Sequence, residues 1–357
     1  MADPPSIRRP SPLGSTFARY VEARPAGVSG VAAGDHYHAV FRDGLDAASM
    51  SPEPEDVLVS DSPEGPVRKF LLPVDGAERV PGPLHTESVV IPMRNRRGVT
   101  HSLCVSSQVG CAMGCGFCET AQMGLVRSLT IGEIVRQWHA ATFHLQARVK
   151  NVVFMGMGEP LDNLEGVLGA IEVLTDHHGP AIPMSNVTVS TVGHERGLVA
   201  LRERVTRHGW RRLNLAVSIN APNDEIRSAL MPVNRSLPLE RLVGMLRAWP
   251  SAPNRAICAE YVLIPGVNDE PGHADELAAL LRGLRCCVNV IPYNPRRDSP
   301  WPAPSEASVE RFLARLMERG QFCKRRKTKG RASMAACGQL GAARIRGRRL
   351  VELTTPG

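Results

Sequence analysis

Cys111, Cys115 and Cys118 stand at the spacing C-x3-C-x2-C, on a short stretch that follows the apolar run Leu103–Val109. Three thiolates so close in sequence surround one small volume. They can hold three corners of a 4Fe–4S cube and leave the fourth iron without a protein ligand. An open iron binds a substrate or cofactor, so the spacing points to chemistry and not to stapling. The competing reading is a four-thiolate zinc site that recruits Cys104 as its fourth ligand. Zinc sites usually pair two separated C-x2-C knuckles, and a single one is present here.

These residues must be positioned by a sizeable scaffold. The chain has 357 residues, enough for one large α/β domain with accessory pieces. Nine cysteines is an odd count, and Met1–Pro12 is polar and proline-rich, unlike a signal peptide. The expectation is a reducing, cytoplasmic setting. No apolar run approaches the roughly 20 residues that span a bilayer. Aromatic residues are few, so composition offers no obvious stacking platform for single-stranded RNA. The net charge of +8 is uneven: Arg319 to Arg349 contains many bases and no acid, and a smaller run comprises Arg94, Arg96 and Arg97. Basic stripes favour polyanions through counterion release; the alternative is a solvated, solubilising surface.

Residues 1–66 read as loosely organised, with Ser51–Pro66, rich in Pro, Ser, Glu and Asp, as a linker or loop. Val67–Val74 and Glu87–Met93 read as strands joined through the turn signal Asp75-Gly76. From about Thr100 strands and helices alternate. Strand candidates are Ser102–Ser106, Val152–Met155, Val187–Thr191, Leu213–Ser218, Ala259–Ile264 and Val288–Ile291. Thr130-x-x-Glu133 has the form of a capping box ahead of Ile134, Val135 and Trp138 at helical spacing. Further stripes are Leu239, Leu242, Val243 and Leu246; Leu277, Leu280, Leu281 and Leu284; and Val309, Phe312, Leu313 and Leu316, stopped by Gly320. Such stripes are core faces packed on a sheet. Repeated βα units imply a parallel sheet covered by helices, curled fully or partly into a barrel with its site at the carboxyl ends of the strands. The expected division is an accessory region over 1–98, a barrel over 99–330, and a C-terminal segment with a basic tail over 331–357.

The C-x3-C-x2-C spacing is that of the radical S-adenosylmethionine (SAM) enzymes, and further motifs narrow the match. Leu103-Cys104-Val105-Ser106-Ser107-Gln108-Val109-Gly110-Cys111 resembles the opening strand of the RlmN/Cfr family of RNA adenine methyltransferases. So do Gly156-Met157-Gly158-Glu159-Pro160-Leu161, Ser218-Ile219-Asn220-Ala221-Pro222-Asn223, Ile291-Pro292-Tyr293-Asn294-Pro295 and Ala335-Ala336-Cys337-Gly338-Gln339-Leu340. The resemblance spans about Arg68 to Gly341. It implies a (β/α)6 partial TIM-like barrel, one 4Fe–4S cluster on Cys111, Cys115 and Cys118, and S-adenosylmethionine used twice per turnover. It implies methylation of an adenosine ring carbon, carbon 2 or carbon 8, in ribosomal or transfer RNA, with electrons from a donor such as flavodoxin or ferredoxin. The open alternatives are a radical enzyme of another reaction class and a non-catalytic, metal-stabilised RNA-binding protein.

An adenine ring carbon is a poor nucleophile, so displacement on a sulfonium methyl would alkylate nitrogen; a one-electron route is needed, and the cofactor carries it. By resemblance, Cys337 first accepts a methyl group. A 5′-deoxyadenosyl radical then takes a hydrogen from that methyl, the resulting methylene radical joins the base, and Cys104 helps resolve the bond, leaving a Cys104–Cys337 disulfide. Glu87 corresponds to the family's proton acceptor. Gly158, Glu159, Ser190, Ser218, Ile219, Asn220 and Asn294 correspond to cofactor contacts, although strand-end polar residues and turn formers are common there for other reasons. Asn220 stands where many relatives carry histidine. Lys329-Gly330-Arg331-Ala332-Ser333-Met334 is basic and neutral where relatives are often acidic. Cys258, Cys286, Cys287 and Cys323 acquire no role, and the first three read as small buried apolar residues. His85, His101, His194 and His273 lack the paired spacing of metal ligands.

Overall fold

The structure, a computed structural model, describes residues 11–77, 84–95, 98–250, 255–330 and 333–341. Its amino-terminal part holds three short helices, α1 (Phe17–Glu22), α2 (Gly30–His38) and α3 (Ala47–Met50). They lead into strands β1 (Glu55–Ser60), β2 (Val67–Val74), β3 (Leu84–Asn95) and β4 (Gly98–Val105). The expectation of loose organisation over 1–66 is therefore corrected within 11–66. Leu13, Tyr37, Val40 and Phe41 are buried in the main core, and the Pro- and acid-rich stretch contains β1, antiparallel to β2. As an edge strand, β1 leaves four of its six residues exposed, and so shows no alternation of apolar and polar positions.

After β4 come β5 (Gln108–Gly110) and β6 (Leu125–Ser128), which pair with each other and bracket the cysteine loop. The βα alternation follows: α4 (Ile131–Phe143), β7 (Val149–Phe154), α5 (Leu164–Thr175), β8 (Val187–Thr191), α6 (Glu195–Val205), β9 (Asn214–Ser218), α7 (Asp224–Leu230) and α8 (Leu239–Arg247). It continues with β10 (Ile257–Leu263), α9 (Pro271–Leu280), β11 (Cys286–Pro292), α10 (Glu306–Glu318) and β12 (Cys323–Arg325). The sheet has ten strands in the order β1-β2-β3-β4-β7-β8-β9-β10-β11-β12. The strands from β1 to β4 pair antiparallel, and those from β4 to β12 pair parallel. Six βα units, starting at β4, make the expected (β/α)6 arrangement, with β12 as a short seventh parallel strand.

The curl of the sheet follows from what its inner face encloses. Ile91 of β3, Ser102 of β4, Thr188 of β8, Glu260 of β10 and Asn289 of β11 all border one cavity of about 690 Å³. A flat sheet could not bring those positions to one space. The outer face packs against the helices, where the stripes on α4, α8, α9 and α10 join the main core. Thr130 caps α4 in a reciprocal capping box with Glu133, worth about 1 kcal/mol. Gln137 of α4, fully buried, accepts from Ser88 Oγ at 2.7 Å and from Ser106 N–H at 2.7 Å. That amide ties the helix to the end of β4, where the cysteine loop begins.

Candidate functional site

The loop bearing Cys111, Cys115 and Cys118 leaves the carboxyl end of β4 and folds tightly. Gly110 has φ +78°, and a Cβ there would lie 1.8 Å from the carbonyl oxygen of Gly124. That carbonyl accepts from Cys111 N–H at 2.9 Å. Gly116 N–H donates to Leu230 O at 2.9 Å, and Gln122 Nε2 donates to the carbonyls of Cys115 and Cys118. The apolar floor contains Phe117, Leu230, Met231, Ile264 and Tyr293. Burial pushes the Cys111 thiol up to about 12 and raises Cys115 and Cys118; Cys118 raises both other thiols further, and Cys111 raises Cys115. Such a set holds negative charge when a cation is bound among the sulfurs.

A zinc site would need a fourth ligand, for which the chain offers Cys104, whereas a cube with one open iron needs only the three thiolates of this loop. Cys104 lies apart from the loop. It pairs in register with Val89 of β3 and Val153 of β7, and packs with Val67, Leu71, Met157, Ala335 and Leu340. The three-cysteine loop therefore fits a cluster, and the zinc reading loses its fourth ligand.

Beside this loop, the turn after β7 passes close under Gln108. Gly158 has φ +98°, and a Cβ there would meet Gln108 Cβ at 2.6 Å. Glu159 is buried. Its Oε1 accepts from Leu161 N–H at 3.0 Å and its Oε2 from Val192 N–H at 2.9 Å. Burial raises its carboxyl to about 7 despite those donors. A cleft of about 140 Å³ is bordered by Gly158, Glu159, Ser190, Ser218, Glu260 and Cys337. Asn294, with Cys337 and Glu260, borders the larger cavity. Ile219 and Asn220 border neither. Ile219 is fully buried in the main core. Asn220, at φ +58°, gives its Oδ1 to Val262 N–H at 2.9 Å, and its own N–H donates to Glu260 O at 3.1 Å. Its side chain thus knits β9 to β10.

Cys337 borders both the cleft and the cavity. Burial raises its thiol, and that of Cys104 to about 12, while the Arg326 guanidinium opposes both shifts. Arg326 Nη1 pairs with Glu260 Oε1 at 3.4 Å, and Glu260 Oε2 accepts from Ser190 Oγ at 2.7 Å. In the sequence Glu260 is marked only as the lone acid in the apolar strand candidate Ala259–Ile264, and Arg326 is one base among many in the basic stripe.

A buried ion pair clamps the Cys337 segment from beneath. Lys69 Nζ lies 3.4 Å from Glu87 Oε1, with side chains 4% and 0% exposed. Lys69 Nζ donates to Met334 O at 3.1 Å, and Gly341 N–H donates to Glu87 Oε2 at 2.6 Å. Thr120 Oγ1 donates to Leu340 O at 2.7 Å, and Glu119 N–H to Gly338 O at 2.7 Å. Glu87 thus sits on the inner face of β3, under the segment.

The basic stripe divides. Arg319 binds Asp275, which also holds Arg315 outside the stripe, Arg325 binds Glu306 and Lys329 binds Glu64. Lys324 and Lys327 are exposed; Arg331 and residues 342–357 lie outside the described residues, as do Arg96 and Arg97. Of the histidines, His194 caps α6, His273 takes part in the cap of α9 and His85 pairs with Glu55. No helix among the described residues is long and apolar enough to cross a membrane.

Comparison with known proteins agrees with this geometry. The Radical SAM superfamily matches residues 105–278. A protein of Protochlamydia amoebophila (strain UWE25), named Probable dual-specificity RNA methyltransferase RlmN 1, is 42% identical over 278 residues, which cover 78% of this chain and 74% of that protein. The Dual-specificity RNA methyltransferase RlmN of Syntrophotalea carbinolica is 44% identical over 280 residues, covering 78% of this chain and 71% of its own length. Among solved structures, a radical SAM methyltransferase from Sphaerobacter thermophilus superposes with a TM-score of 0.80 at 35% identity, covering 92% of this chain and 98% of that one.

Proposed function

The chain belongs to the RlmN family of radical SAM RNA methyltransferases, and from that premise we propose that it methylates a ring carbon of adenosine, carbon 2 in preference to carbon 8, in ribosomal or transfer RNA, by way of a methyl group carried on Cys337. The observation that carries this reading is that Cys337 borders both the Gly158–Ser218 cleft and the 690 Å³ cavity, with Arg326 lining the cavity and Cys104 within electrostatic reach of both.

Bound at Cys111, Cys115 and Cys118, a 4Fe–4S cluster and S-adenosylmethionine supply the one-electron chemistry that removes hydrogen from a methyl group, two molecules of the latter being used per turnover. The rest falls to the protein. Gly158, Glu159, Ser190 and Ser218 border the cleft that receives the cofactor, with Asn294 on the cavity side. Ile219 and Asn220 support that wall through the backbone of Glu260. Cys337 must be a thiolate to accept a methyl group on Sγ, and Arg326 supplies the neighbouring positive charge. Cys104, on the rigid β4, stays a neutral thiol until it is needed to release the product, and a Cys104–Cys337 disulfide results. Glu87 takes the ring-carbon proton once the Cys337 segment lifts and its Oε2 parts from Gly341 N–H. An adenosine entering this cavity must first unstack, which favours structured RNA with an accessible base. Electrons come from a flavodoxin- or ferredoxin-type donor.

The test is nucleoside mass spectrometry of RNA treated with the cluster-loaded enzyme. The expected product is 2-methyladenosine, lost on Cys337→Ala. A product methylated on nitrogen, or one unaffected by that substitution, would overturn the proposal.

A further inference from the structure

Cys258 and Cys287 are not core residues. Cys286 lies in the main hydrophobic core and Cys323 packs against it, on the helix-facing side of the sheet. Cys258 instead borders the catalytic cavity, two residues before Glu260 on the same face of β10. Its partner in register on β11 is Cys287, two residues before the cavity-lining Asn289. Neighbouring parallel strands lie about 4.8 Å apart, within the Cα window of a disulfide. Cys287 is half-buried; burial raises its thiol and the charge of Lys324 on the edge strand β12 opposes that shift, while burial raises the Cys258 thiol to about 12 against the opposing charge of Arg326. One guanidinium, that of Arg326, reaches Cys104, Cys258 and Cys337 electrostatically.

We propose that Cys258 and Cys287 are an internal dithiol relay that carries reducing equivalents from the open edge of the barrel to the catalytic disulfide. The inference rests on the reading that turnover leaves Cys104 and Cys337 disulfide-bonded. Within that bond Cys104 is buried on β4, 7% exposed, away from a macromolecular reductant. In the first step the Cys258 thiolate attacks Cys337 Sγ. The Cys104–Cys337 bond breaks, and Cys104 leaves with the bonding pair and takes up the proton that Cys258 lost. In the second step the Cys287 thiolate attacks Cys258 Sγ and releases Cys337 as a thiol. The two electrons of the dithiol now reside on Cys104 and Cys337, and the Cys258–Cys287 disulfide remains. A dithiol reductant of the thioredoxin class reduces it from the edge. For the first step Cys337 must swing down into the cavity, whose volume of about 690 Å³ leaves room for it.

The full chain, loaded with iron and sulfide anaerobically so that the cluster cysteines are protected, is treated with the thiol oxidant diamide. It is then alkylated and digested without reduction, and the linked peptides are identified by mass spectrometry. Wild type is expected to yield a Cys258–Cys287 link that grows as the Cys104–Cys337 link declines. Cys287→Ser is expected to trap a Cys258–Cys337 link absent from wild type. Cys258→Ala is expected to retain the Cys104–Cys337 link and to lose its rapid reduction by thioredoxin. Cys286→Ser serves as a control that also resolves which of two adjacent thiols is linked, and Cys323→Ser as a control on the helix side. If the Cys104–Cys337 link forms but Cys287→Ser traps nothing on Cys258, and thioredoxin reduces Cys258→Ala as fast as wild type, the relay is refuted while the underlying reading stands. If no Cys104–Cys337 link forms in any variant, the underlying reading fails with it.

Discussion

Replacing Lys69 by methionine isolates the clamp under the Cys337 segment. The substitution keeps the length of the side chain and removes its charge, so the carboxylate of Glu87, 0% exposed, loses the ammonium 3.4 Å away. It also removes the donor to Met334 O. Breaking one half of a buried ion pair costs about 3–5 kcal/mol, chiefly because the remaining charge stays out of water without that counter-ion. Glu87→Gln should cost a similar amount by stranding Lys69. The two changes together remove both charges and keep an acceptor for Gly341 N–H, so the double variant should lie within about 1 kcal/mol of wild type. Lys69→Met removes the donor to Met334 O, whereas Glu87→Gln retains an acceptor for Gly341 N–H, so loosening of the segment should surface locally in Lys69→Met. Cys337 should therefore react with iodoacetamide about ten- to a hundredfold faster in Lys69→Met, since a hydrogen bond from a charged donor is worth about 1.5–3 kcal/mol and about 1.4 kcal/mol is a factor of ten, and near the wild-type rate in Glu87→Gln. Urea unfolding followed by tryptophan fluorescence, together with the alkylation rate, completes the cycle. Single variants that cost under about 1 kcal/mol, or a double variant as unstable as the two singles summed, would refute the reasoning.

Other consequences follow from the same contacts. His139 is held neutral by burial, its value lowered from 6.5 to about 4. Above pH 6.5 it contributes no pH dependence. As pH falls from 6.5 to 4 the unfolded chain takes up a proton that the folded chain refuses, and stability drops by at most about 3 kcal/mol. His139→Asn, which retains an acceptor toward Ser51 Oγ, should flatten that part of the stability profile; an unchanged slope would remove His139 as its source. Gly158→Ala forces a Cβ to 2.6 Å from Gln108 Cβ at φ +98°. Equilibrium dialysis should show S-adenosylmethionine binding lost while circular dichroism stays that of wild type; full retention of binding would show that the turn has room to spare. RNA affinity should fall with added salt, and the Lys324→Gln/Lys327→Gln variant should lower the slope of log K against log salt by about 1–2; an unaltered slope would place the phosphate contacts elsewhere.

Much of the scaffold could be read from the chain because its signals are local. Val187–Thr191 is β8 to the residue, and the Thr130–Glu133 pair caps α4 as its spacing suggests. The stripe through Leu284 overshoots, since α9 closes at Leu280 and the chain turns at Gly283, φ +79°. Leu281 nonetheless stays buried in the core. The amino-terminal helices escape detection because small residues carry their inner faces: in α2 the buried positions are Ala33, Gly34 and Tyr37. No apolar stripe marks such a helix. The three-cysteine loop was legible for the same reason as β8, its cysteines lying within eight residues of one another. The clamp and the thiol environment were not. Lys69 meets Met334 across 265 positions and Glu87 meets Gly341 across 254, and Arg326 reaches Glu260 across 66. Only the curl of the sheet brings those groups together. Arg326 in particular carries no mark in the sequence that separates it from the neighbouring arginines, which bind surface carboxylates.

The central claim is that Cys337 carries the methyl group destined for RNA. Protein produced with its cluster and S-adenosylmethionine, digested and examined by peptide mass spectrometry, should bear a single added methyl on Cys337 and none on Cys104, Cys258 or Cys287. Unmodified Cys337 in protein that retains a full cluster would contradict it.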